Sequence, residues 1–416
     1  MKLDGHHAHT CDNARGNKQN SRCSKSLLRK YFISGGCGLL LTAGAAHADP
    51  LSSPSFAGPL APNPSPLSVD AGPFGQVYVS GQLTGLGLVQ SHTTPAPGTR
   101  NADSLLDLSN GQVEIQTTSG PLQFYVQAGA YSLPSLGTPY LRADKALDDL
   151  YGPVPVGYAK AVFNSDWNIM IGALPTLIGA ESTFTFQNIN IERGLLWNQE
   201  PAISKGVQLN YSHGPLTAAI SLNDGYYSDK YSWLSGTISY AINGSNTISV
   251  VGGGNLSSTS KSSFATPVAQ DNSSIVNLIY TYSSGPLTLN PYLQYSHVSR
   301  NDNLGIDRSA DTYGAAVLAK YAITSEFSLG ARAEYLKSSG GSCGADPSCS
   351  PTNLLYGPNS DAWSLTFTPT FQRGVFFARA ELSYTRIGGL QLGYGFGSNL
   401  NDRDQVRGLL ETGILF

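Results

Sequence analysis

From residue 75 to the C-terminal Phe416, apolar and polar positions alternate in segments of about ten residues, each bounded by Gly, Pro, Asn, Asp or Ser. A period of two sends successive side chains to opposite faces of a strand. The alternation predicts strands at 75–90, 104–118, 121–131, 155–164, 167–175, 203–213, 215–226, 231–241, 245–255, 272–284, 286–300, 310–322, 325–338, 360–372, 374–388 and 405–416. Sixteen is an even number, so both ends of the strand array fall on one side.

The connectors alternate as well. Every second one is tight, as at Ser119-Gly120-Pro121, Asn243-Gly244-Ser245, Ser284-Gly285-Pro286 and Gln372-Arg373-Gly374. Most of those between are long, notably 132–154, 176–202, 256–271, 339–359 and 389–404. Short turns at one end and long loops at the other are the anatomy of an all-β, transmembrane antiparallel barrel, with the short turns periplasmic and the long loops extracellular. A soluble β-sandwich or β-helix is the alternative, since it also uses alternation and glycine turns.

Strand parity assigns the faces. In 405–416, Val406, Gly408, Leu410, Thr412, Ile414 and Phe416 share one face while Arg407 and Glu411 take the other. Phe376, Ala378, Ala380, Leu382 and Tyr384 likewise oppose Arg379 and Glu381, and Phe327, Leu329, Ala331, Ala333 and Tyr335 oppose Arg332 and Glu334. In a barrel the charged face is a wet lumen. By the same parity Glu114, Lys160 and Lys320 join the candidate lumen charges. Tyr282, Tyr295, Tyr321, Tyr335, Tyr384 and Trp233 stand near strand ends, where interfacial aromatic girdles are expected.

Composition fits such a wall. Only 13% of the 416 residues are charged and 46 are glycine, against roughly 25% charged in ordinary soluble domains. No apolar run approaches the roughly 20 residues of a membrane-spanning helix. Residues 1–48 differ from the rest: seven basic residues precede a short apolar stretch, Tyr31 to Ala46, and the triplet Ala46-His47-Ala48. This order predicts a signal peptide cleaved after Ala48 and export through the Sec pathway. A Pro/Ser-rich arm, 49–72, is expected to be extended and poorly packed before the barrel domain, 73–416. Without the leader, 18 basic and 26 acidic residues remain of the 25 and 28 in the whole chain, a formal charge of −8. Nucleic acid is therefore not an expected partner.

Chemistry beyond the wall is sparse. After processing only His92, His213 and His297 remain, in a long loop, a tight turn and a strand end. Neither a Ser-His-Asp arrangement nor a histidine metal site has material to work with, so no catalysis, metal or cofactor is expected. Asn301-Asp302-Asn303-Leu304-Gly305-Ile306-Asp307 lacks the register of a calcium loop and reads as a solvated turn. Cys343 and Cys349, in a turn-rich loop of an exported chain, predict a local disulfide, with two free thiols as the alternative.

Connector 176–202 is the most informative. It carries apolar anchors, Leu177, Ile178, Leu195, Leu196 and Trp197, together with Glu181, Glu192 and Arg193. Loops of this length are usually functional or disordered. Folding into the lumen, with the anchors on the wall and the three charges facing the water path, would make it a constriction. An outward flap over the barrel mouth is the alternative.

The run Leu174-Pro175-Thr176-Leu177-Ile178-Gly179-Ala180-Glu181, then Asn188…Arg193-Gly194-Leu195-Leu196, Pro201, Gly206-Val207 and Leu222-Asn223-Asp224-Gly225, resembles the OmpL-like beta-barrel porin family. The motif-bearing part spans roughly 170–226. Gly172-Ala173 stands where the family more often has Gly-Lys, and Asp224 interrupts its usual Asn-Gly step. The resemblance implies a channel in the outer membrane of a Gram-negative bacterium, in contact with its lipid, and homotrimers by analogy with sixteen-stranded porins. The expected role is passive diffusion of small hydrophilic solutes or ions, with opposed lumen charges setting a transverse field. The competing classes are an outer-membrane adhesin or scaffold, which would show a sealed lumen, and a barrel enzyme.

Overall fold

In the computed structural model, residues 58–95, 102–340, 343, 349 and 351–416 are described. The leader, the expected cleavage after Ala48 and the start of the arm lie outside them. Seventeen strands form one sheet: β1 (Leu67–Asp70), β2 (Gln76–Gln90), β3 (Ser104–Thr117), β4 (Leu122–Tyr131), β5 (Val156–Val162), β6 (Trp167–Pro175), β7 (Ile203–His213), β8 (Leu216–Asn223), β9 (Trp233–Asn243), β10 (Asn246–Asn255), β11 (Ser273–Ser284), β12 (Leu287–Val298), β13 (Ala310–Ala322), β14 (Phe327–Gly340), β15 (Asp361–Arg373), β16 (Phe376–Gly388) and β17 (Asp404–Leu415). Two short α-helices, α1 (Ala143–Ala146) and α2 (Val268–Asp271), sit in the long connectors.

Strands β2 to β17 pair antiparallel in sequence order, and β17 returns to β2 with Leu83 opposite Ile414 and Leu88 opposite Leu409. The sixteen strands therefore close on themselves, leaving no free edge for aggregation. The observed ends lie within about three residues of those read from alternation. Among the described residues no helix is long and apolar enough to cross a membrane, so the strands do the spanning.

Alternation is what separates the two faces. Leu106, 81% exposed, and Leu382, 58% exposed, point outward in a belt with Ile171, Leu293 and Phe367. An apolar surface of that extent is untenable in water and is matched by bilayer hydrocarbon. The inward positions of β14, β16 and β17 carry Arg332, Glu334, Arg379, Glu381, Arg407 and Glu411, all buried. Tyr295, Tyr321 and Tyr335 do lie on the outer face. Trp233 does not: it is the first residue of β9, shares parity with Ser235 and Thr237, and points inward, edge-to-face with Tyr226 at 5.5 Å.

The arm also differs from its expected poor packing. Short β1 pairs with the first residues of β2, Leu67 opposite Val79 and Asp70 opposite Gln76. Further along β2, Gly81 exchanges backbone hydrogen bonds with Phe416 at 2.7 and 2.8 Å. The two ends of the described barrel thus line up along one edge of β2. Upstream, the Ala61 amide donates to Gln372 Oε1 at 2.7 Å, and Gln372 Nε2 donates back to the Ala61 carbonyl at 2.8 Å. This clamp lets Leu60 bury itself in an apolar cluster with Tyr125, Phe184, Phe186, Phe377 and Leu415. Burial of one leucine is worth about 1.5–3 kcal/mol, enough to hold a segment that composition marks as extended.

Candidate functional site

Connector 176–202 enters the barrel. Nearly every residue from Leu177 to Ala202 is buried, and Leu177, Ile178, Ile189, Leu195 and Leu196 join an apolar cluster with inward side chains of β9 to β14. Two wall positions lack a side chain where the loop presses closest. A Cβ at Gly314 would lie 2.7 Å from Leu196 Cγ, and one at Gly330 would lie 2.9 Å from Ile189.

A buried irregular segment must find partners for its backbone groups, and the charged wall supplies them. Glu381 accepts from the Ile191 and Glu192 amides at 2.5 and 2.9 Å. Glu334 accepts from the Leu195 amide at 3.0 Å. Arg379 donates to the Asn188 and Thr185 carbonyls at 3.0 and 2.9 Å and pairs with Glu411, which also accepts from the Thr185 hydroxyl at 2.6 Å. Arg332 donates to Glu181 at 2.6 Å and to the Glu192 carbonyl at 2.7 Å. Arg407 reaches Glu192 at 2.8 Å and the carbonyls of Ser135 and Thr138 at 2.8 and 2.5 Å, fastening connector 132–155 to the same site.

Glu181 and Glu192 are thus turned to the wall instead of to an open water path, because unpaired arginines buried on that wall would be far costlier. Arg193 is buried too. Its backbone bonds to Pro134 and Leu136 at 3.0 and 2.9 Å, and its guanidinium lies 5.2 Å from the Trp197 ring centroid. The strand charges serve as a dock, and four arginines, at 193, 332, 379 and 407, lie among six buried glutamates, at 181, 192, 200, 334, 381 and 411; the Arg193 guanidinium and the Glu200 carboxylate form no hydrogen bond with the described residues.

The family described as "Putative beta-barrel porin-2, OmpL-like" matches residues 76–416. The chain belongs to this family. Among solved structures it is similar to the anion-selective porin of Comamonas acidovorans, at 11% identity and TM-score 0.53 over 82% of this chain and 99% of that one. It is likewise similar to a loop-deletion mutant of OmpT, an outer membrane protein of Vibrio cholerae, at 13% identity and TM-score 0.52 over 82% and 99%. The outer membrane channel DcaP of Acinetobacter baumannii follows at 12% identity and TM-score 0.51 over 82% and 97%. At such identities the likeness is one of fold. No curated protein matches the chain. The porin family and the closed barrel place the protein in the outer membrane of a Gram-negative bacterium.

The residues that carry the family resemblance are the roots and core of the inward loop. Asp224, which departs from the family pattern, is fully buried and accepts the Lys205 and Asp229 amides at 2.6 and 3.1 Å. Glu114, Lys160 and Lys320 stand apart from the dock. Glu114 is buried beside Tyr125 and Gln82. Lys160 and Lys320 face inward near the periplasmic turns and form no ion pair with the described residues. Since β5 and β13 are eight strands apart in a ring of sixteen, the two lysines oppose each other across the lumen. Cys343 and Cys349 are joined as a disulfide. The histidines sit singly beside Asp404, Asp166 and Asp311, and no metal-ligand cluster occurs among the described residues.

Alternation missed the uncharged part of the lumen, because polar residues without charge leave a weak mark in a sequence. Inward positions of β6 to β12 hold amides and hydroxyls that bond to one another: Asn210 to Asn168 at 2.9 Å, Asn223 to Ser235 at 2.9 Å, and Asn277 to Gln294 at 2.7 Å. Between this wall and the roots of the loop at Thr176, Leu177 and Pro201 lies a small cavity.

Proposed function

We propose that the protein is a passive diffusion channel for small hydrophilic solutes or ions, narrowed by loop 176–202. The position of that loop carries the reading. A sixteen-stranded barrel is wide enough to leave an aqueous channel, and a segment docked across it reduces the opening to what the segment leaves free. In this reading Glu181, Glu192 and Arg193, with Arg332, Glu334, Arg379, Glu381, Arg407 and Glu411, set the width of the passage by holding the loop. Export through the Sec pathway with cleavage after Ala48 and assembly as a homotrimer belong to the same proposal, and no catalytic step is part of it.

Purified protein inserted into a planar bilayer should give discrete conductance steps that scale with salt. A barrel that inserts and stays electrically silent overturns the channel. The burial of the whole charge network favours a second reading, a sealed barrel that acts as a scaffold or adhesin through its extracellular loops. That reading predicts the silent outcome together with retained binding of a surface partner.

A further inference from the structure

The lumen has two unlike halves. On β14 to β17 the loop covers the wall at mid-height, and the segment around Leu60 covers it again toward the periplasm, where Phe377 and Leu415 are buried under it. Along β9 the trend is the reverse. Exposure of inward residues rises from 2% at Trp233 to 7% at Ser235 and 8% at Thr237, and Ser239 is half-buried. The inward face of β8 loosens likewise, from buried Ser221 to half-buried Thr217. The free space therefore begins at the cavity beside the loop roots and widens down β8 to β10 toward the periplasmic turns.

That side carries no inward charged residue on any strand from β6 to β12. Its groups are carbonyls, amides and hydroxyls, which both donate and accept hydrogen bonds. An ion passing here would lose hydration and gain no fixed counter-charge, whereas a polyhydroxy solute exchanges its water bonds for equivalent ones. The charges across the lumen lie on or against other strands, and Arg332, Arg379 and Arg407 are paired there with Glu181, Glu334, Glu411 and Glu192. Lys160 and Lys320 lie at the periplasmic end, Lys320 two residues nearer the turn than Leu318, which packs against the loop. They act on entry and not on the narrow part.

We infer that the permeants are uncharged, hydroxyl- or amide-bearing solutes, carried along the β8–β10 wall. The inference rests on the channel reading and names its substrate class.

The test is swelling of proteoliposomes in isosmotic hexose, hexosamine and hexuronate, beside bilayer conductance. Wild-type protein should pass hexose several times faster than either charged analogue. Ser235→Trp and Ser249→Trp should each slow hexose entry by about tenfold, the change that ~1.4 kcal/mol of added barrier produces. Heat-modifiable migration on gels confirms that each variant is folded. Charged analogues entering as fast as hexose, or tryptophan variants that leave its entry unchanged, overturn the inference and leave the channel standing. A wild-type protein that passes no solute and carries no current overturns the channel itself.

Discussion

Arg332 on β14 and Glu181 on the inward loop meet at 2.6 Å with essentially no exposed surface on either side chain. The pair joins wall to loop, and Arg332 also holds its own neighbour Glu334 at 3.1 Å. Removing one partner strands a buried charge, which typically costs about 3–5 kcal/mol, while replacing a whole buried pair with apolar residues is often neutral. Arg332→Met should therefore release the loop and raise single-channel conductance, and the double variant Arg332→Met with Glu181→Leu should retain more of the wild-type value. Equal conductance in all three proteins would show that the pair does not hold the loop.

Gly330 offers a way to move the loop without touching a charge. A valine there places atoms where Ile189 now sits, and overpacking of this kind costs about 1–3 kcal/mol. The barrel has sixteen paired strands to absorb it and the loop does not. Gly330→Val should leave the heat-modifiable gel shift intact while making the loop sensitive to added protease; an unaltered digestion pattern would count against close docking.

Leu60→Ala should loosen the segment beneath Phe377. Truncating a buried leucine costs about 2–5 kcal/mol, against a clamp of two hydrogen bonds between Ala61 and Gln372. Limited proteolysis near residues 58–61 should become faster with the barrel core undigested, and restoring bulk with Leu60→Met should largely reverse it.

Asp271, at the end of α2 on the extracellular side, accepts the Tyr226 amide at 3.1 Å. Burial lifts its pKa to about 6, and nearby Asp224 adds to the rise. Its folded-state pKa therefore exceeds the unfolded one, so the folded protein binds the extra proton. Stability gained from protonation is fully present below the unfolded value near 4 and is lost as pH rises through about 6. The protection of the Tyr226 amide, its exchange relative to the intrinsic rate at each pH, should rise on acidification from pH 7 to 5, and Asp271→Asn should flatten that dependence.

Strand positions and faces were legible because alternation records burial one residue at a time. In 374–388 the parity that sends Phe376 and Leu382 outward sends Arg379 and Glu381 inward, and the structure agrees. Parity gives a direction and no partner. Arg332 and Glu181 are separated by 151 residues, and nothing local marks that they meet, so charges read as facing water turn out to dock a loop. Trp233 was misplaced for a related reason: an aromatic at a strand end looks the same from either side of the wall. Leu60 was hidden by the prolines around it, which signal an extended chain without saying what the chain lies against.

The dock also imposes an order of assembly. Loop 176–202 precedes β14, β16 and β17 in the chain, and its bonds to them span 151 residues for Glu181, 194 for Thr185 and 215 for Glu192. Closure at the seam is longer still, with Gln90 and Arg407 separated by 317. Contacts so distant in sequence form late and slowly. Until those strands are in place the loop has no carboxylates for its amides and no guanidinium for its carbonyls, so it cannot dock before they pair. The final quarter of the chain thus both closes the barrel and holds the loop that divides it.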